Sequence, residues 1–214
     1  RMNAAAPEAL MLLGSRCPFC PSVLEGLSQL VKKGEIGQLT VINFEQNPEI
    51  ARELGVRSVP WVRIGPFELE GQQTPAELAS WAKRAASNEG VREYIAELLN
   101  TGGIAKAETL ILENSDYFSY LLELFTDDAT SLNIRVGIGA LMEMLAETDF
   151  LQSHIEELGE LTQHDSAQVR IDACHYLSLT RESSAVPFVE QLLNDEDATV
   201  REVAKESLEA LNEE

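Results

Sequence analysis

Two cysteines two residues apart, Cys17 and Cys20, stand where an apolar run gives way to a helical pattern. Ala9 to Leu13 has the composition of a buried strand. Val23, Leu24, Leu27, Leu30 and Val31 recur at the spacing of one buried helix face. The pair therefore lies at a strand-to-helix turn, and that context says more than the spacing alone. A helix start exposes unsatisfied N–H groups and the positive end of the helix dipole, and both favour a thiolate over a thiol. On this reading Cys17 sits at or beside the N-cap, and Pro18 takes the first helical position, where its missing N–H costs nothing. Arg16 adds a neighbouring positive charge. A cysteine placed in this way has a lowered pKa and is the attacking sulfur. Cys20, about one turn further on, is placed to displace a mixed disulfide and close the pair. Two alternatives share the spacing: a redox-inert remnant, and half of a zinc site. A structural zinc takes four protein ligands, and Cys174, His154, His164 and His175 all lie far down the chain. No metal and no cofactor is assigned.

The segments around the pair read as an alternation of strand and helix. Residues 1–8 are small and polar and are expected to fray. The first helix is expected from Pro18 to Lys33, stopping at Gly34, with Lys32 and Lys33 complementing the dipole in its last turn. Leu39 to Phe44 is a β-rich second strand. Asn47-Pro48-Glu49 opens a short helix, an Asn cap followed by Pro, which runs to Gly55. Trp61 to Ile64 pairs with Phe67 to Glu70 across Gly65-Pro66. Thr74-Pro75-Ala76-Glu77 is a capping box that starts a helix burying Leu78, Trp81 and Ala82 or Ala85. The order is βαβαββα, which implies a parallel first pair and an antiparallel hairpin.

Residues 9–86 resemble the thioredoxin fold. The resemblance rests on Cys17-Pro18-Phe19-Cys20 at the strand–helix junction, on Val59-Pro60 ahead of the third strand, and on the run from Pro48 to Pro60. It implies that the Val59–Pro60 bond is cis and lies against the cysteines, and that Val59 hydrogen-bonds the backbone of a substrate. The dipeptide Pro18-Phe19, with Pro21 after the motif, is closer to glutaredoxins and to the protein-disulfide-oxidoreductase type. Arg16 replaces the Trp that precedes the motif in thioredoxin. Glu70-Gly71-Gln72-Gln73 lacks the glutaredoxin double glycine, which argues against a glutathione-dependent activity. Trp61 is either a substrate-facing aromatic or a sheet residue packed on a helix. Phe19 is expected to be exposed and apolar, as a docking surface would be.

From Val91 onward the chain reads helical throughout, with helices near 90–100, 103–113, 116–126, 131–147, 149–162, 166–180, 183–193 and 197–212. Ile134-Arg135, Val169-Arg170 and Val200-Arg201 recur at intervals of 35 and 31 residues, each opening a helix behind acidic residues. Such a period means an α-solenoid, and the Asp-x-x-Val-Arg pattern at 197–201 resembles HEAT repeats. There the Asp and Arg residues bond the stacked loops, so Arg135, Arg170 and Arg201 read as structural. Gly137 and Gly139 are expected to permit close helix packing, Pro187 to lie in a first turn or kink its helix, and Cys174 to be a buried, inert thiol. The expected architecture is an α/β thioredoxin fold followed by an all-α HEAT-like solenoid, divided into 1–87 and 88–214.

The formal charge of −20 divides at the same place. Residues 1–87 carry nine Lys and Arg against nine Glu. Residues 88–214 carry seven against 27 Asp and Glu. An acidic half excludes nucleic acid, whose phosphates need Lys and Arg clusters, and can steer a basic partner. No stretch approaches the about 18 apolar residues that a span requires, so no membrane is implied. With three cysteines and no leader pattern, a reducing cytoplasm is the expected compartment. These features point to a thiol–disulfide oxidoreductase, with Cys17 attacking, Cys20 resolving, Val59 and Pro60 aligning the substrate chain, and Phe19, Trp61 and Arg16 contacting it. Its partners are a protein disulfide or dithiol, and a protein docked on the solenoid. The alternative is a HEAT-repeat adaptor whose thioredoxin-like part is a binding or redox-sensing module. A relay into a peroxidase is a third reading.

Overall fold

A computed structural model describes residues 6–212. By its internal packing the chain forms two compact units, one ending at Tyr94 and the other beginning at Ile95.

The first unit holds a four-stranded sheet in the order β2-β1-β3-β4. Its elements are β1 (Glu8–Leu13), α1 (Cys20–Lys33), β2 (Gln38–Asn43), α2 (Pro48–Glu53), β3 (Trp61–Ile64), β4 (Phe67–Glu70) and α3 (Pro75–Ala85), followed by the start of α4 (Asn88–Asn100). β1 and β2 are parallel, with Leu13 opposite Asn43. β3 is antiparallel to both β1 and β4. The β3–β4 turn is the expected Gly65-Pro66, and Gly65 takes φ +53°, a conformation open to glycine. Alternation along the strands builds two layers. Ala9, Met11, Val62 and Ile64 face α1 and α3, packing on Val23, Leu27, Leu30, Leu78 and Ala82. Leu12 and Trp61 face the other way, against Ala51, Ile50, Leu54 and Val56.

Several local expectations need correction. The first helix begins at Cys20, with Phe19 as its N-cap, so Pro21 and not Pro18 occupies the first turn. The first intrahelical bond runs from the Val23 N–H to the Phe19 carbonyl at 3.3 Å. Asn47 does not cap α2: its side-chain amide donates to the Asn43 carbonyl at 3.0 Å, a competing local bond. Glu8, expected to fray, already belongs to β1; positions 1–5 of that stretch lie outside the described residues. The Thr74–Glu77 capping box is present in both directions, the Glu77 N–H donating to Thr74 Oγ1 and the Thr74 N–H to Glu77 Oε2.

The second unit is helical over its described residues. It holds the remainder of α4, then α5 (Ile104–Glu113), α6 (Tyr117–Thr126), α7 (Leu132–Met144), α8 (Asp149–Gln152), α9 (Ile155–Glu160), α10 (Ala167–Ser178), α11 (Val186–Gln191) and α12 (Ala198–Asn212). The helix expected over 149–162 is broken between α8 and α9. Ser153 Oγ and His154 Nδ1 both donate to the Phe150 carbonyl, at 2.7 Å each, and His154 leaves helical geometry at φ −107°, ψ 17°. The side chains thereby take over an acceptor that helix continuation would use. The stretch 183–193 is likewise a short α-helix between two 3-10 turns, with Pro187 in the first turn of α11. Gly137 does permit close packing: a Cβ there would lie 2.9 Å from the Leu99 carbonyl oxygen on α4. Gly139 does not serve that purpose, because its nearest neighbour would be the Tyr176 hydroxyl at 3.8 Å. Among the described residues, no helix is long and apolar enough to cross a membrane.

Candidate functional site

Cys17 and Cys20 are joined as a disulfide, with sulfurs 2.16 Å and Cα atoms 5.5 Å apart. The local chain explains the approach. The Cys17 N–H donates to the Gly14 carbonyl at 3.2 Å, closing a turn after β1, and the chain then enters α1 at Cys20. The Cys20 N–H, the first of the helix, points at Cys17 Sγ from 3.1 Å. The helix start thus aims a donor at this sulfur although Cys17 stands three residues ahead of the first helical position. The two sulfurs differ in access. Cys20 is buried at 4% exposure within the α1 face of the core, whereas Cys17 is half-buried at its edge.

The other candidate residues divide by accessibility. The Val59–Pro60 peptide is cis, as the resemblance implied. Val59 is half-buried and packs on both core layers, and its Cγ2 would lie 3.4 Å from a Cβ placed on Gly14. The turn before Cys17 and the loop before β3 therefore meet. Pro60 is buried, and its carbonyl accepts from the Gly71 N–H at 2.9 Å. Phe19 is 48% exposed, and Arg16 is exposed beside the pair. Trp61 is not a substrate-facing aromatic. At 2% exposure it is packed on α2, because strand alternation after Pro60 turns it toward that layer.

A cluster beside the pair escaped sequence reasoning. Glu45 grips the turn ahead of Cys17 with both carboxylate oxygens, accepting from the Ser15 N–H at 3.1 Å and from Ser15 Oγ at 2.6 Å. Asn43 completes it, its amide donating to Ser15 Oγ at 3.3 Å and its Oδ1 accepting from the Glu45 N–H at 2.9 Å. The available signal was topological: in a parallel pair the loops leaving β1 and β2 emerge side by side, so residues after Leu13 and after Asn43 must meet.

In the second unit the three repeat arginines are tied down. Arg135 donates to the carbonyls of Phe125, Asp127 and Thr130. Arg201 donates to those of Asp195 and Glu196. Arg170 bonds the His164 and Asp165 carbonyls of its own loop and reaches the next loop with a two-pronged contact to Asp195, at 2.8 and 2.9 Å. That hydrogen bond holds the Asp195 carboxyl below the usual carboxylate range. His164 accepts from the Ser166 N–H at 3.1 Å, a capping geometry. Cys174 is fully buried, and desolvation pushes its thiol up. Among the described residues, no three His, Cys, Asp or Glu side chains converge on a metal position.

Comparison with protein-family models finds a thioredoxin domain over residues 9–83 and HEAT repeats over residues 120–209. No curated protein matches the chain.

Proposed function

Because the chain joins a thioredoxin domain to HEAT repeats, we propose that it is a thiol–disulfide oxidoreductase acting on protein partners docked by the repeat surface. In the reduced form the Cys17 thiolate attacks one sulfur of a substrate disulfide. A Cys17–substrate bond forms, and the other substrate sulfur leaves as a thiolate. Cys20 then loses its proton and attacks the Cys17 sulfur, which closes the Cys17–Cys20 disulfide and releases the second substrate thiolate. The substrate gains two electrons and the pair loses two; the reverse sequence oxidises a substrate dithiol. Val59 aligns the substrate chain from the cis junction, while Phe19 and Arg16 border the entrance. Glu45 holds the turn that carries Cys17 and acts as a positioning residue.

The observation that carries this reading is the Cys20 N–H directed at Cys17 Sγ from the start of α1, with Cys17 the more accessible sulfur. A donor there stabilises the anion over the thiol, which supports the attacking role proposed for Cys17. The test is a Cys20→Ser variant incubated with a disulfide-containing protein. It is expected to accumulate a mixed disulfide through Cys17, and reduced Cys17 is expected to titrate below the about 8.5 of a free cysteine. An ordinary titration with no trapped adduct would overturn the reading.

A further inference from the structure

Exposed apolar side chains scattered over a surface need no explanation, but a line of them does. Six large hydrophobic side chains are exposed among the described residues, and three of them, Leu132 at 75%, Val136 at 64% and Met144 at 44%, lie on α7. They stand at i, i+4 and i+12, and exposed Ala140 fills the i+8 place. This is a single stripe about 18 Å long. The opposite face of α7 is ordinary core, with Ile138, Leu141 and Met142 fully buried. The helix is therefore apolar on two sides, and only one of them is covered.

The charge around the stripe selects what could cover it. Glu143 and Glu147, both exposed, stand at its C-terminal end. The helix there also presents the negative end of its dipole. Glu143 is in addition bonded to His175 Nε2 at 2.7 Å. The whole excess of 20 negative charges lies within residues 88–214. A second copy would bring the same charge to the interface, and nucleic acid or an anionic lipid surface would be repelled in the same way. A stripe one helix wide matches the apolar face of another helix, read at i, i+4 and later turns.

We infer that the outer face of α7 is a docking site for a cationic amphipathic helix of a partner protein, its apolar side laid on Leu132, Val136 and Met144 and its Lys and Arg side chains facing the acidic surround. The site shares the solenoid with the docking role proposed above but uses nothing of the sulfur chemistry, so either can fail alone.

The test uses the full chain and a synthetic helical peptide of about five turns, with Leu on one face and Lys and Arg on the other. A second peptide keeps the Leu face and carries Glu opposite. The comparison protein is the Leu132→Gln, Val136→Gln double variant, which leaves the charge unchanged and alters only exposed positions. The cationic peptide is expected to bind the parent chain. Binding to the double variant should be weaker by about tenfold or more, since each apolar side chain covered is worth about a factor of ten. Raising salt from about 50 to about 300 mM should weaken binding further. Equal binding to both proteins, equal binding of the Glu-faced peptide, or no binding would overturn the inference. So would self-association of the parent chain that the double variant abolishes, because the occupant would then be a second copy.

Discussion

Arg170 shows how much one side chain does in the repeat region. Its side chain is only 9% exposed, and its guanidinium satisfies two carbonyls of its own loop and both oxygens of Asp195 in the next. Arg170→Ala leaves the half-buried Asp195 carboxylate with the Asp197 N–H but without its guanidinium partner, and is expected to cost about 1.5–3 kcal/mol, read as a lowered denaturant midpoint. Lys in that place lacks the fork and cannot restore both bonds. The effect depends on pH in a defined direction. The Asp195 carboxyl is held below its unfolded value by Arg170. The pair therefore contributes fully above the ordinary Asp value of about 3.9, and its contribution fades as pH falls through the lowered folded value. The gap in stability between parent and variant should thus be wide at neutral pH and narrow in acid. A gap that stays constant would show that Asp195 is not the partner that matters. Arg135 and Arg201 were expected to bond stacked loops as Arg170 does. Arg201 instead bonds carbonyls of the loop that precedes its own helix, and Arg135 bonds carbonyls of its preceding loop and that of Phe125 in the last turn of α6.

Helix α7 carries a contrast between two glycines. Sequence reasoning took Gly137 and Gly139 alike as packing glycines, and the structure separates them. A Cβ on Gly137 would meet the Leu99 carbonyl oxygen at 2.9 Å and Leu99 Cβ at 3.0 Å, atoms that cannot swing aside. A Cβ on Gly139 meets nothing nearer than 3.8 Å. Alanine gains about 1 kcal/mol over glycine within a helix, whereas overpacking a close contact costs about 1–3 kcal/mol. Gly139→Ala should therefore raise the thermal midpoint and Gly137→Ala should lower it. The same sign for both would mean that α7 and α4 do not pack as closely as described. The break between α8 and α9 was equally hidden. Nothing in the apolar period of 149–162 shows that Ser153 and His154 will both spend their donors on the Phe150 carbonyl.

Across the whole molecule, charge is the least balanced quantity. Nine basic and nine acidic residues precede position 88, and seven basic and 27 acidic residues follow it. Self-repulsion of that kind opposes the compact state and is relieved by salt. The thermal midpoint is expected to rise as sodium chloride goes from about 10 to about 200 mM, where screening lengths fall below the spacing of surface charges. A midpoint that falls with salt would mean that attractive ion pairs, of which Arg170–Asp195 is a strong example, outweigh the repulsion.

The element order of the first unit, the capping box and the arginine period were legible in the chain, because each depends on local periodicity or on a short pattern of particular residue types; the cis junction at Pro60 was implied only by the resemblance to the thioredoxin fold. What lay beyond the sequence were the choices made by neighbours distant along the chain. Strand alternation and the position of α2 placed Trp61 in the core. The parallel pairing of β1 and β2 brought Glu45 to Ser15. The stacking of helices left one face of α7 bare. Local sequence sets which faces are apolar, but which of them finds a cover is settled only when remote segments pack together.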